Sequence, residues 1–277
     1  MRKGLLLVCT WGLGAAIGGE WSHPVAAQSL VYAPSQGTSF RFRTDNELQV
    51  SQRILGRDNL YLLQVGGIVR LTLLNPGPRL LWRLGFDELS MTIEGPFPTP
   101  RTEELRGTVV TLTTNARGVV LEAVASGVVP PGLGARYVER AATAFLPHLP
   151  SADEPVTAWT DTLTVTEVLQ GVTTQIETVV RYTVSDTSAL AGRPVVPVEY
   201  VGTIVVEGMG TLGGSAVSLT GEGTVNGHYL YDPVDRIFDL HQQEQILEST
   251  LTLDSPQGRP VAIPSRQVLR AHAERLF

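Results

Sequence analysis

Apolar and polar residues alternate along most of this sequence, and that period of two constrains its fold more than any other feature. Phe40 and Phe42 alternate with Arg41 and Arg43, and Leu48, Val50 and Gln52 with Gln49, Ser51 and Arg53. Successive side chains of a strand point to opposite faces, so each such segment buries one row and wets the other. Turn residues at Gly56-Arg57-Asp58-Asn59 reverse the chain into Leu60 to Val65. Further strands are predicted at 69–74, 80–84, 89–94, 108–114 and 119–125. Beyond residue 150 they recur at 159–169, 174–184, 195–207, 216–220, 224–231 and 236–253. Strands spaced this closely, with no helices between them, pair antiparallel.

Two segments break the pattern. Val138, Ala141, Ala142 and Phe145 fall on one face at helical spacing, which predicts a helix over Ala135 to Leu146, stopped by Pro147 and Pro150. Ser265 is a candidate cap for a short closing helix over Arg266 to Leu276, with Val268, Leu269, His272 and Leu276 inside. The expected fold is therefore mainly β: large curved antiparallel sheets, open-barrel or sandwich-like, with one crossing helix and one at the C-terminal end. The two halves, 28–150 and 151–277, share a similar order of elements, which suggests an internal duplication.

The amino end reads as an export signal. Arg2 and Lys3 precede an apolar stretch from Gly4 to Ile17, and Val25-Ala26-Ala27-Gln28 is a small-residue cleavage site. About 14 apolar residues fall short of the roughly 20 that cross a bilayer as a helix. Cleavage after Ala27 leaves 250 residues (277 minus 27) with 19 basic and 26 acidic side chains, a net charge of −7. The single cysteine, Cys9, leaves with the signal, so disulfides and thiolate metal sites are excluded from the remainder. A mildly acidic chain without a basic cluster is a poor nucleic-acid binder, because phosphate neutralisation supplies most of that affinity. The expectation is an exported chain in the periplasm or outside the cell. It does not span a membrane after cleavage: Arg275, Ala273 and Ala271 interrupt the apolar row that should precede a terminal Phe277, and aromatics are only 6% of residues, too few for two girdles.

Several motifs carry chemistry only weakly. Gly208-Met209-Gly210-Thr211-Leu212-Gly213 spells a dinucleotide fingerprint, but Gly214 to Thr220 beyond it is strand-like, where a pyrophosphate needs a helix N-terminus. These glycines read as turn formers, and no cofactor is implied. Gly213-Gly214-Ser215-Ala216-Val217 lacks the last glycine of a nucleophile elbow. His228 and His241 stand 13 residues apart with no metal-ligand spacing. A hairpin pairing Tyr231 with Arg236 sets His228 across from Asp239 and gives Tyr229, Tyr231, Phe238 and Leu240 the buried face. That His–Asp pair is the basis of a hydrolase alternative; a polar cross-strand contact is the plainer reading.

The order of long hairpins, the helix end Phe145-Leu146-Pro147-His148-Leu149-Pro150, the opening Trp159-Thr160-Asp161-Thr162, and Gly221-x-Gly223 before Tyr229-Leu230-Tyr231-Asp232 resembles exported bacterial β-proteins of unknown function. A curved antiparallel sheet with a helix across it is also similar, at the level of fold, to periplasmic lipid and lipoprotein carriers. An apolar content of 43% and a candidate lid helix at Ala135 to Leu146 lead to the expectation of a non-enzymatic cell-envelope protein whose curved sheets bind an apolar, lipid-like ligand or a protein partner. Candidate lining residues are Phe40, Phe42, Leu60, Leu62, Val138, Phe145, Tyr229 and Phe238. The alternative without a ligand is an assembly protein that recruits its partner through sheet edges.

Overall fold

In the computed structural model, residues 30–54, 56–95, 107–127, 138–139, 142–150, 157–169, 171–254 and 260–277 are described. The signal segment lies outside them. The elements are twelve strands: β1 (Ser39–Ile54), β2 (Arg57–Asn75), β3 (Leu80–Glu94), β4 (Val109–Thr114), β5 (Val120–Ser126), β6 (Ala158–Leu169), β7 (Val172–Val184), β8 (Ser188–Leu190), β9 (Arg193–Leu212), β10 (Ser215–Asp232), β11 (Ile237–Leu253) and β12 (Val261–Leu276).

All twelve belong to one antiparallel sheet in the order β5-β4-β3-β2-β1-β12-β11-β10-β9-β7-β6, with β8 on β9. The order is a meander whose last strand pairs with its first, Arg41 opposite Leu276 through to Gln52 opposite Ser265. Both halves of the chain thus share a single sheet. This corrects the expectation of separate sheets interrupted by helices. The segment 266–276 is strand: its apolar residues fit a helix, but partners on both sides, β1 and β11, satisfy its backbone as strand. Of the expected helix at 135–146, Val138, Glu139, Ala142 and Thr143 have helical backbone, and no helix enters the element order.

The inner row is apolar. Phe42, Val69, Leu71, Trp82, Leu84, Val110 and Leu112 continue it across β1 to β4, and Val180, Tyr182, Val198, Tyr200 and Tyr229 across β7 to β10; all belong to one core cluster. The alternate residues of β1, Arg41, Arg43 and Ser51, face water. A second, small cluster of Leu48, Val50 and Leu269 forms further along. Exposed aliphatics on the outer row concentrate on β6 to β9: Val168, Val179, Val201, Val205 and Met209.

The sheet curves until its ends meet through a plug. Residues 146–150 lie between the β4–β5 turn and β10. The Tyr32 hydroxyl donates to the Pro147 carbonyl at 2.8 Å, Tyr229 to that of His148 at 3.0 Å, and Leu149 N–H to that of Arg117 at 2.9 Å. Gly118 fits the turn at φ +82°, where a Cβ would meet the Tyr32 ring at 2.6 Å. From that turn Arg117 donates to Asp161 on β6 at 2.6 Å, so one ion pair ties the two ends of the strand order together.

Candidate ligand cavity

The eight residues predicted to line a site divide. Phe40, Phe42, Val138, Tyr229 and Phe238 are buried in the main core, and Phe145 packs against it. Phe42 stacks on Phe238 at 4.6 Å between ring centroids, with Phe145 at 5.2 Å and 5.6 Å from them. These rings fill space and leave little to line. Leu60 and Leu62 alternate with the inner-row residues Tyr61 and Leu63, and Leu60 is 60% exposed.

The space lies elsewhere. A cavity of about 90 Å³ separates the plug from the inner face of β6, β7, β9 and β11. Its walls are Thr143, Ala144, Leu146, Pro147 and His148 on one side and Leu163, Tyr182, Tyr200, His241 and Gln243 on the other. Room exists here because Gly227 stands opposite Tyr200: a Cβ at Gly227 would approach the Tyr200 hydroxyl to 2.5 Å and the Gln242 carbonyl to 2.6 Å. Tyr200 lies over that bare backbone. Its hydroxyl donates to the Gln243 side-chain carbonyl at 3.0 Å and, its proton so used, accepts from His241 Nε2–H at 2.9 Å. Either charge state of His241 can carry Nε2–H, and burial selects the neutral one. Burial, with lesser contributions from His228 and His272, lowers its pKa from 6.5 to about 3. Burial likewise raises the Tyr200 and Tyr229 phenols well above 10. Trp159 stacks flat on Tyr182 at 4.6 Å, closing the β6 side.

Sequence reasoning missed Tyr182, Tyr200 and His241 as neighbours because they come from three strands, and only the register unites them. Tyr182 pairs with Tyr200, Tyr200 with Gly227, and Tyr229 with His241.

The expected His228–Asp239 pair does not form. Register shifts between Leu230 and Tyr231, which leaves Asp239 unpaired in a bulge and sets His228 opposite Gln242. His228 alternates with buried Gly227 and Tyr229 and so belongs to the other face. Asp239 instead accepts from Arg275 at 3.1 Å, within a cluster that also holds Asp232, Asp235 and Arg193. Arg275 lies 4.7 Å over Phe40 and 4.9 Å over Phe277. The five charges tie β9, the β10–β11 turn and β12 into one corner. Among the described residues no group of three or more His, Cys, Asp or Glu is placed to hold a metal ion. Of the glycines expected to form turns, Gly208 and Gly210 lie within β9, where a Cβ would crowd the β7 backbone, and only Gly213, with Gly214, takes positive φ to turn the chain into β10.

Two outer grooves are larger and polar. One of about 590 Å³ crosses β3 to β11 past Asp45, Glu47, Gln64, Glu244 and Arg270; another of about 940 Å³ crosses β9 to β1 past Glu207, Glu222 and Arg266. Some of their carboxylates are paired, Glu244 with Arg270 at 2.8 Å and Glu248 with Arg266 at 3.6 Å, as on a solvated face.

No family model matches this sequence, and no curated protein does. Solved structures of Pseudomonas aeruginosa outer-membrane porins are among those similar to this chain, at low TM-score. OccK8 (OprE) is 7% identical with a TM-score of 0.26, covering 88% of this chain and 100% of its own. OccK2 (OpdF) in complex with glucuronate is 8% identical with a TM-score of 0.27, covering 88% and 100%. OccK11 (OpdR) is 7% identical with a TM-score of 0.25, covering 88% and 99%. These likenesses stand against three expectations without placing this chain in a membrane. The neighbours are membrane-spanning barrels where periplasmic lipid and lipoprotein carriers were expected. A chain that does not span a membrane, and a place free in the periplasm or outside the cell, are likewise not what such neighbours occupy. At these TM-scores no residue of this chain corresponds to one of theirs, and the inward-apolar sidedness is read from its own strands. No helix among the described residues is long and apolar enough to cross a membrane, which leaves strands unaddressed.

Proposed function

We propose that this protein is a non-enzymatic binder of a small, mainly apolar molecule, held between the 143–148 segment and the inner face of the sheet. The observation that supports it is the cavity itself: about 90 Å³ walled by Leu146, Pro147, Leu163 and two tyrosine rings, against an inner row of buried apolar side chains. Voids larger than a water molecule are few in a packed domain, and one with apolar walls is a candidate binding space. The ligand is small. Drug-sized molecules need roughly 300 Å³ or more, so this space takes a single ring or the tip of a chain. The hydroxyl of Tyr200 is already engaged with His241 and Gln243, so the walls offer mostly contact and little chemistry.

Calorimetric titration of the purified protein with toluene tests this. Saturable binding is expected, and Leu163→Trp, which fills the cavity from β6, is expected to abolish it. Failure of toluene to bind, or binding that survives L163W, contradicts the cavity reading.

The assembly alternative has one observation in its favour. β5 and β6 end the strand order, and β6 is a 12-residue edge with Thr160, Thr162, Thr164 and Thr166 outward. An unpaired edge is a template for another strand. Cross-linking that captures a protein partner at Thr162, with no ligand bound, favours that reading.

A further inference from the structure

We infer that the open edge of β6 pairs antiparallel with β6 of a second copy of this chain, across a twofold axis at Leu163. This goes beyond the cavity reading and rests on the edge alone.

The sheet has two ends, and they differ. At one of them β5 is 7 residues long, and its register with β4 shifts between Thr113 and Thr114. The Ala125 N–H there donates to the Glu139 side chain at 3.0 Å, so a group that an added strand would need is taken. Glu122 adds an exposed charge. Short length, bulges and charge are the means by which edges are kept from pairing. β6 lacks the first two, and its outer row lacks the third. It runs 12 residues without proline or lysine and pairs β7 with no register shift. Among the described residues no strand lies on its other side. Thr160, Thr162, Thr164, Thr166 and Val168 are exposed in one uncharged row. Its two charges, Asp161 and Glu167, stand on the inner row, and Asp161 is paired with Arg117.

This composition selects the partner. An uncharged row offers nothing for a charged segment to recognise, whereas threonine opposite threonine is a favourable pair in itself. A twofold axis normal to the sheet keeps both inner rows on one side, so only residues of like facing meet. Centred on Leu163, Thr162 meets the partner's Thr164, Thr160 meets the partner's Thr166, and Asp161 meets the partner's Val165. Centred one residue further on, Asp161 would meet the partner's Glu167, a like-charge opposition that destabilises strand pairs. Twelve residues a side fall short of the roughly 20–30 of a standard interface, so the dimer is concentration-dependent.

Sedimentation equilibrium of the intact protein from about 1 to 300 µM, a range that brackets weak association, tests this. The mass is expected to rise toward twice that of one chain. Thr164→Lys sets two like charges diagonally across the axis and is expected to weaken association about tenfold, with the thermal unfolding midpoint unchanged. Should T164K not fold, cysteine pairing carries the test. In a mixture of Thr162→Cys and Thr164→Cys chains, each made with Cys9→Ser, oxidation is expected to form the mixed disulfide in preference to either homodimer. The mass of one chain at every concentration, association undiminished in T164K, or faster oxidation within T162C or T164C alone overturns the inference. None of these results bears on toluene binding, so the cavity reading stands or falls separately.

Discussion

One hydroxyl, that of Tyr200, organises the cavity wall by joining His241 to Gln243, and the neutrality of His241 has a measurable consequence. Its folded pKa is about 3 against 6.5 unfolded, so between those values the unfolded chain holds a proton that the folded one lacks. Stability therefore falls as pH drops from 6.5 toward 3, with a contribution of up to about 1.4 kcal/mol per pH unit. Urea unfolding across that range is expected to show the slope, and His241→Gln to reduce it, with His148, whose pKa burial also lowers, contributing in the same sense. The corner around Arg275 makes a second prediction at this scale. Asp232 and Asp239 are fully buried beside it, so Arg275→Met leaves uncompensated charge and is expected to cost about 3–5 kcal/mol in the same assay. Adding Asp239→Asn to R275M is expected to recover part of that loss. Equal stability of R275M and the unaltered protein would mean the cluster is water-filled.

At the scale of elements, Gly227 shows what a strand must omit for a neighbour to fit. Gly227→Ala places a methyl against the Tyr200 hydroxyl and the Gln242 carbonyl, and about 1–3 kcal/mol of destabilisation is expected from that overpacking. Thermal unfolding gives the cost, and toluene titration shows whether the displaced ring closes the cavity. Strands are legible in the sequence wherever one row is wet: Phe40 to Phe42 against Arg41 and Arg43 reads correctly without coordinates. β2 and β3 each read as two pieces because Gly66-Gly67 and the Asp87 bulge interrupt alternation, yet Asp87 is held there by Arg41 at 3.2 Å and Arg70 at 2.9 Å. The terminal strand reads as a helix because Val268 and Leu269 are adjacent and both buried, which suits 3.6 residues per turn as well as a twisted strand. The His228–Asp239 pairing fails at the bulge beside Leu230, since one extra residue moves every later side chain to the other face. The cavity is not legible at all. Its walls sit at separations set by the register of β7, β9, β10 and β11, and a glycine, which carries no pattern signal, makes its room.

For the whole molecule, a meander of long strands joins its first and last members and turns its apolar row inward, and the 146–150 plug fastens the two ends through Tyr32, Tyr229 and Arg117. The small opening between that plug and the inner face of the sheet is the feature on which the proposed binding role depends. Diffraction from crystals pressurised with xenon, which enters dry apolar cavities, tests it most directly. Density for a xenon atom between Leu146, Leu163, Tyr182 and Tyr200 is the predicted result. An empty map there, with the Tyr200 ring swung over Gln243 into the gap, would contradict the account.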